Sequence, residues 1–310
     1  MFSISRPTKA RRSESFVGFF QKKLVLRNGI SLMELLVVVV VIGLLMSLIS
    51  VAISASRDVA RRITCANNLR QIGLAFANYE AKFRVLPRGS GAAGHGPLVA
   101  ILPELELSDI FRQIDFSKDV DENSIAKRTR IPLFRCPSAM RELEVRTDYV
   151  LNRGATLEFK GDDSPWFFDQ RVYPKKSSFT HGSASTALFS ETCPLVDGQK
   201  KGSLLLLSQR QILTRSDSEI FVSECVNATG NEPISTINNG CYWFGAGCMN
   251  YFHILPPNNR SCANGGMIQQ SLYTATSMHE SGVNMLFADG HVNYVSNSIE
   301  NPVWVSWGSR

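Results

Sequence analysis

Residues 29–53 read GISLMELLVVVVVIGLLMSLISVAI, and this stretch decides the organisation of the chain. From Leu35 to Ile53 no side chain is charged, and only Ser47 and Ser50 are strongly polar. Nineteen helical residues at 1.5 Å each span ~28 Å, about the hydrocarbon thickness of a bilayer. The β-branched string Val37 to Ile42 is mediocre helix material in water. In lipid the backbone must satisfy its own hydrogen bonds, so the run is expected to be helical. A buried core helix is disfavoured, because the run has no polar face. A cleaved secretory segment is shorter and ends in a small-residue site; Ala52 and Ala55 keep that alternative open.

Working outward, the preceding residues carry the charge. Of 33 Lys+Arg and 27 Asp+Glu, residues 1–29 hold seven basic side chains and one acid, so the formal charge of +6 sits there and the remainder is neutral. Overall charge therefore gives no support to nucleic-acid binding. The basic flank predicts a cytoplasmic N-terminus and a single pass through the inner membrane. Everything after about residue 55 is expected outside, periplasmic or extracellular. Arg57, Arg61 and Arg62 oppose this orientation but are outnumbered. The 310 residues are 44% apolar and 19% charged, which excludes global disorder and allows one large or two modest domains.

Beyond the apolar run the helical pattern continues. Val59, Ile63, Ala66, Leu69, Ile72, Phe76, Tyr79 and Phe83 recur every three or four residues, the spacing of one helix face. Arg57, Arg61, Asn68, Arg70, Gln71 and Asn78 are assigned to the opposite face. Leu86-Pro87-Arg88-Gly89 ends the helix. The organisation expected is a basic leader at 1–29, a membrane half at 30–55, an amphipathic half at 56–86 and a globular domain at 87–310. An amphipathic helix must bury its stripe on something, and the rest of the chain is the candidate.

That rest has weaker signals. Residues 88–97 read as a Gly-rich loop, and 104–114 as a short acidic helix. Short strands are expected at Glu144–Leu151, Thr186–Phe189, Leu204–Leu207 and Glu219–Val222. Residues 225–270, rich in Asn, Gly, Pro and Cys, read as an irregular insertion. Asp289-Gly290 between two β-rich runs predicts a two-residue hairpin, with both central residues at positive φ. The fold class expected is α+β, with a long helix on a mainly antiparallel sheet.

Gly29-Ile30-Ser31-Leu32-Met33-Glu34 resembles the type IV prepilin cleavage and methylation motif, with Ile for the usual Phe and Ser for Thr. The resemblance implies a cut between Gly29 and Ile30 by a prepilin peptidase, methylation of the Ile30 amine, and Glu34 as an assembly residue. A wider resemblance covers nearly the whole chain from residue 29. It is to prepilin-like proteins of planctomycete type that carry a large domain of unknown function and end in H-x(9)-D-G. Here that signature is His279 followed by Asp289-Gly290. Further matches are residues 65–75, Leu102-Pro103, Cys136-Pro137-Ser138 and Ser183-Ala184-Ser185-Thr186 leading to Glu191. The resemblance implies a pilin-like fold, and partners that are other pilin or pseudopilin subunits and membrane lipid. It also motivates a disulfide between Cys65 and Cys136, because both lie in matching segments.

The motif has a physical reading. Glycine before the cut lets an extended backbone enter a protease cleft. Glu34 would then be an acid near the head of a membrane helix, where an unpaired carboxylate costs roughly 2–3 kcal/mol or more. An amine, its own or a neighbouring subunit's, would offset that cost and set a register. A glutamate that only snorkels to the interface is the competing reading.

Catalytic signals are thin. No H-E-x-x-H or G-x-S-x-G occurs. His181-Gly182-Ser183 with Glu191 makes only a loose triad. His279, Asp289 and His291 would hold a cation if they converged at the hairpin, but turn geometry already explains Asp-Gly. All seven cysteines follow the apolar run, which fits disulfides in an oxidising compartment. Cys225, Cys241, Cys248 and Cys262 would staple the insertion; zinc is the alternative, but no C-x-x-C exists. The expectation is a non-enzymatic, pilin-like or pseudopilin-like subunit of a surface filament or type II secretion-like machine, with no cofactor and no metal. The alternative is an anchored extracytoplasmic binding protein that does not polymerise and takes a glycan or protein ligand.

Overall fold

The computed structural model describes residues 31–90, 94–123, 128–139, 146–157, 173–192, 204–229, 233, 242–245, 249–265 and 267–309. The chain divides into two compact units, Met1–Ala52 and Ile53–Arg310. Helix α1, Leu32–Phe83, contributes to both.

In the first unit the helix is apolar on every side, and its large side chains from Leu32 to Ile49 are exposed. It is long and apolar enough to cross a membrane. Its first turn is closed by Glu34, whose Oε2 accepts the Ser31 N–H at 2.8 Å. Gly29 and Ile30 lie outside the described residues.

In the second unit α1 packs against a five-stranded sheet. The strands are β1 (Tyr149–Asn152), β2 (Ala187–Glu191), β4 (Asn250–Tyr251), β7 (Gly282–Phe287) and β8 (Val292–Ser296), in the order β4-β1-β2-β7-β8. All neighbours are antiparallel except β1 and β4. The helix presents Cys65, Leu69, Ile72, Ala75 and Phe76 to this sheet's core. Phe76 meets Phe189 edge-on, with ring centroids 5.3 Å apart. Gly73 marks a close approach: a Cβ there would stand 2.7 Å from Cδ1 of Leu286.

The middle of the expected face is buried, at Leu69, Ile72 and Phe76, but its ends are not. Val59, Ile63 and Phe83 are exposed, whereas Asn68, assigned to the polar face, is buried. Asn68 is inside because its amide has buried partners: it donates to Arg135 O at 2.9 Å and to Tyr149 Oη at 3.2 Å.

A second core lies around a three-stranded sheet, ordered β3 (Leu204–Leu207), β5 (Ser261–Asn264), β6 (Met267–Leu272). Residues 225–270 are thus not simply irregular, since they supply β4, β5 and most of β6. After the short helices α2 (Pro97–Ala100) and α3 (Ser108–Arg112), helix α4, Arg215–Asn227, covers this core with Phe221 and Cys225, and Cys225 is disulfide-bonded to Cys262 on β5. The strand expected at Glu219–Val222 is part of α4. Ile220, Phe221 and Val222 favour strand locally, but Thr214 and Asp217 form a capping box that starts a helix just upstream.

The C-terminal hairpin is also looser than expected. Phe287 and His291 close it through Phe287 N–H to His291 O at 2.9 Å, leaving Ala288, Asp289 and Gly290 as a three-residue loop. Only Gly290 has positive φ, 98°. This is the turn-plus-bulge alternative to the two-residue turn. Helix α5, Asn301–Gly308, follows and buries Trp304.

Candidate functional site

The sheet, the helix and two loops bring four distant side chains together. Cys65 projects from α1 and is joined by a disulfide to Cys136, 71 residues on, with Cα atoms 5.2 Å apart. His279 lies in the loop leading to β7, and its Nε2 stands 3.9 Å from the Cys136 sulfur. The same nitrogen is 3.4 Å from Oε1 of Glu191, the last residue of β2. The four ligand-type atoms of Cys65, Cys136, Glu191 and His279 lie within 4.8 Å of one another, and all four residues are buried.

Each member is held by its element. Asn284 on β7 donates its backbone N–H to Glu191 Oε2 at 2.9 Å and its side-chain amide to Oε1 at 2.8 Å. Cys136 donates its N–H to Asp148 Oδ2 at 2.8 Å, and Arg135 Nε donates to the same oxygen at 2.9 Å. Burial pushes the Asp148 carboxyl up from its ordinary range, against the pull of Arg135 and the Cys136 N–H. The Tyr149 phenol is pushed well above its ordinary value, first by burial and then by the charge of Glu191. Its hydroxyl donates to Cys65 O at 3.4 Å, so the tyrosine also fixes the helix carbonyl beside the disulfide.

The H-x(9)-D-G residues are split between two places. His279 belongs to the disulfide cluster. Asp289 sits at the hairpin tip, where its Oδ1 accepts from His291 N at 3.1 Å and lies 2.5 Å from His291 Nδ1. The tip is docked by Ala288 N–H to Thr186 O and Asp289 N–H to Ser183 O, at 2.9 and 3.2 Å. The cation cluster considered for His279, Asp289 and His291 is therefore not assembled. Nor does Glu191 serve His181 and Ser183, since its carboxylate is engaged by Asn284 and His279. Of the other cysteines, Cys193, Cys241 and Cys248 lie outside the described residues.

Sequence reasoning missed one further feature. A cavity of about 480 Å³ is lined by the aromatic rings of Tyr79, Phe83, Phe111, Phe116 and Tyr173, with Lys82, Arg88, His95 and Glu104 around them. Lys82 pairs with Glu104 at 3.3 Å, and Arg88 lies over the Tyr173 ring at 3.5 Å. The His95 ring is held by Asn123 at 3.3 Å, and burial lowers its pKa against the opposing charge of Asp119. This volume and lining suit a small organic ligand. Its residues come from four separated segments with no common motif, so no linear signal pointed to it.

No curated protein and no solved structure matches the chain. Residues 54–301 match the model of a family described as proteins of unknown function, DUF1559. That match covers α1 from Ser54, both sheets and the disulfide cluster. The chain therefore belongs to the DUF1559 family.

Proposed function

We propose that this protein is a non-enzymatic, pilin-like or pseudopilin-like subunit. It is made with a basic leader, cut between Gly29 and Ile30 by a prepilin peptidase, and anchored in the inner membrane through α1. Its partners are other subunits of the same class, packed side by side through Leu35–Ile53. One observation carries the reading: a helix with no charged residue from Leu35 to Ile53 is headed by a single acid, Glu34, the last residue of a G-I-S-L-M-E motif. Membership of the DUF1559 family fits a pilin-like or extracytoplasmic protein.

Glu34 in this reading does two jobs. Within one subunit it accepts the Ser31 N–H and closes the first turn of the helix. In an assembly it pairs with the freed amine of a neighbouring Ile30, because an ion pair offsets the cost of a carboxylate near lipid. The test is mass analysis of the N-terminus of the protein purified from membranes. N-methyl-isoleucine at residue 30 supports processing; an intact Met1, or a start near residue 55, overturns it. Glu34→Ala then tests assembly, and unaltered incorporation into filaments or complexes would sink the register role.

A second reading is favoured by the aromatic cavity. Here the processed helix serves only as an anchor, and the globular unit binds a small organic or glycan ligand. It predicts that Glu34→Ala leaves function intact whereas Tyr79→Ala or Tyr173→Ala abolishes ligand binding.

A further inference from the structure

We propose that Cys65, Cys136, His279 and Glu191 form a redox-gated site for zinc, closed as a disulfide and loaded when the disulfide is reduced. The four donor atoms come from α1, the loop after Phe134, β2 and the loop before β7, yet lie within 4.8 Å of one another. Two sulfurs, one imidazole nitrogen and one carboxylate oxygen form a four-donor set that zinc takes up tetrahedrally. Calcium and magnesium want oxygen ligands and more of them, so the sulfurs select against both.

The geometry requires little rearrangement. With Zn–S bonds near 2.3 Å, tetrahedral coordination sets the two sulfurs about 3.8 Å apart. His279 Nε2 already faces both the Cys136 sulfur and Glu191 Oε1, at 3.9 and 3.4 Å. A metal between them would replace the His279–Glu191 contact with two coordinate bonds. The supporting shell is in place as well. Asn284 fixes the Glu191 carboxylate through two donors, Ser277 Oγ accepts the backbone N–H of His279 at 3.2 Å, and Asp148 fixes the backbone of Cys136. Such outer contacts orient metal ligands. A pure structural disulfide has no need of a histidine and a carboxylate, both buried, converging on its sulfurs.

The chemistry balances simply. A dithiol reductant gives two electrons and two protons to the Cys65–Cys136 bond, forming two thiols and its own disulfide. Zinc then displaces both thiol protons to solvent and binds two thiolates, the neutral imidazole and the carboxylate. A disulfide oxidant reverses the step: it takes two electrons from the thiolates and two protons from solvent to become a dithiol, the Cys65–Cys136 bond re-forms, and zinc leaves to solvent.

The test uses the full chain in detergent micelles with cobalt(II) as a spectroscopic stand-in for zinc. A phosphine reductant opens the disulfide without adding thiols. The reduced protein is expected to take up one equivalent of cobalt and to show a thiolate-to-cobalt charge-transfer band that zinc abolishes; the oxidised protein shows none. His279→Gln and Glu191→Gln, which keep every cysteine, should each weaken zinc by about tenfold or more. The Cys65→Ser/Cys136→Ser double variant should lose the band, which separates this site from the remaining cysteines. Should that variant fail to fold by circular dichroism, His279→Gln and Glu191→Gln decide alone. No band in the reduced protein, a band retained by a folded double variant, or zinc affinity unchanged in both single variants overturns the proposal.

Discussion

Asn284 holds Glu191 by two donors at once, its backbone N–H on Oε2 and its side-chain amide on Oε1, at 2.9 and 2.8 Å. The two residues sit on neighbouring antiparallel strands, one step beyond the Ser190–Met285 pair. Sheet register therefore delivers the amide to the carboxylate. Asn284→Leu keeps the backbone bond but strips one oxygen of its amide donor inside the protein. The expected cost is about 2–3 kcal/mol, read as a lower urea midpoint with an unchanged slope.

Removal of the Cys65–Cys136 cross-link acts mainly on the unfolded chain. The bond closes a loop of 71 residues, for which loop-closure entropy gives roughly 4 kcal/mol. Cys65→Ala/Cys136→Ala should lose about that much stability in denaturant titrations. The Cys225–Cys262 loop spans 37 residues, so its removal should cost slightly less.

Gly73 is a point where α1 comes close to the sheet. A Cβ there would stand 2.7 Å from Leu286 Cδ1, a contact that a leucine rotamer can partly relieve. Gly73→Val is expected to destabilise by about 1–3 kcal/mol through overpacking. Adding Leu286→Ala should recover part of that loss, because the two changes share one space; thermal melts of the full double-mutant cycle measure it.

His253 predicts acid sensitivity. Its Nδ1 lies 2.9 Å from Trp304 O, and a carbonyl only accepts, so Nδ1 carries the proton and Nε2 accepts from the Tyr251 hydroxyl at 2.9 Å. Complete burial lowers its pKa from 6.5 to about 3. Between those values the unfolded state binds the extra proton and the folded state does not. Stability contributed by the neutral ring is therefore full above pH 6.5 and falls as pH drops toward 3. The slope of stability against pH should flatten over that window in His253→Gln, measured by chemical denaturation at several pH values.

How much of this was legible in the sequence differs by element. The apolar run, its helical continuation past Ser56 and the strand at Leu204–Leu207 follow from composition and period alone, since each is a local pattern of sufficient length. Helix α4 reads locally as strand because Ile220 to Val222 favour strand, whereas the capping box of Thr214 and Asp217, just upstream, decides for helix. The middle of the buried face of α1, at Leu69, Ile72 and Phe76, follows from the period, while Asn68 shows that a polar side chain joins that face when partners await inside. The hairpin was located correctly, but its loop took three residues because the strand register closes at Phe287 and His291.

What the sequence determined by itself is the apolar helix, the basic segment before it and the α+β class, because hydrophobic periodicity and charge are properties of neighbouring residues. Only the tertiary structure decided that Cys65, Cys136, Glu191 and His279 share one buried place while Asp289 does not. Those four residues are separated by up to 214 positions, and no local preference encodes which strand lies beside which. The sheet order β4-β1-β2-β7-β8, set by long-range pairing over a single helix face, made that choice.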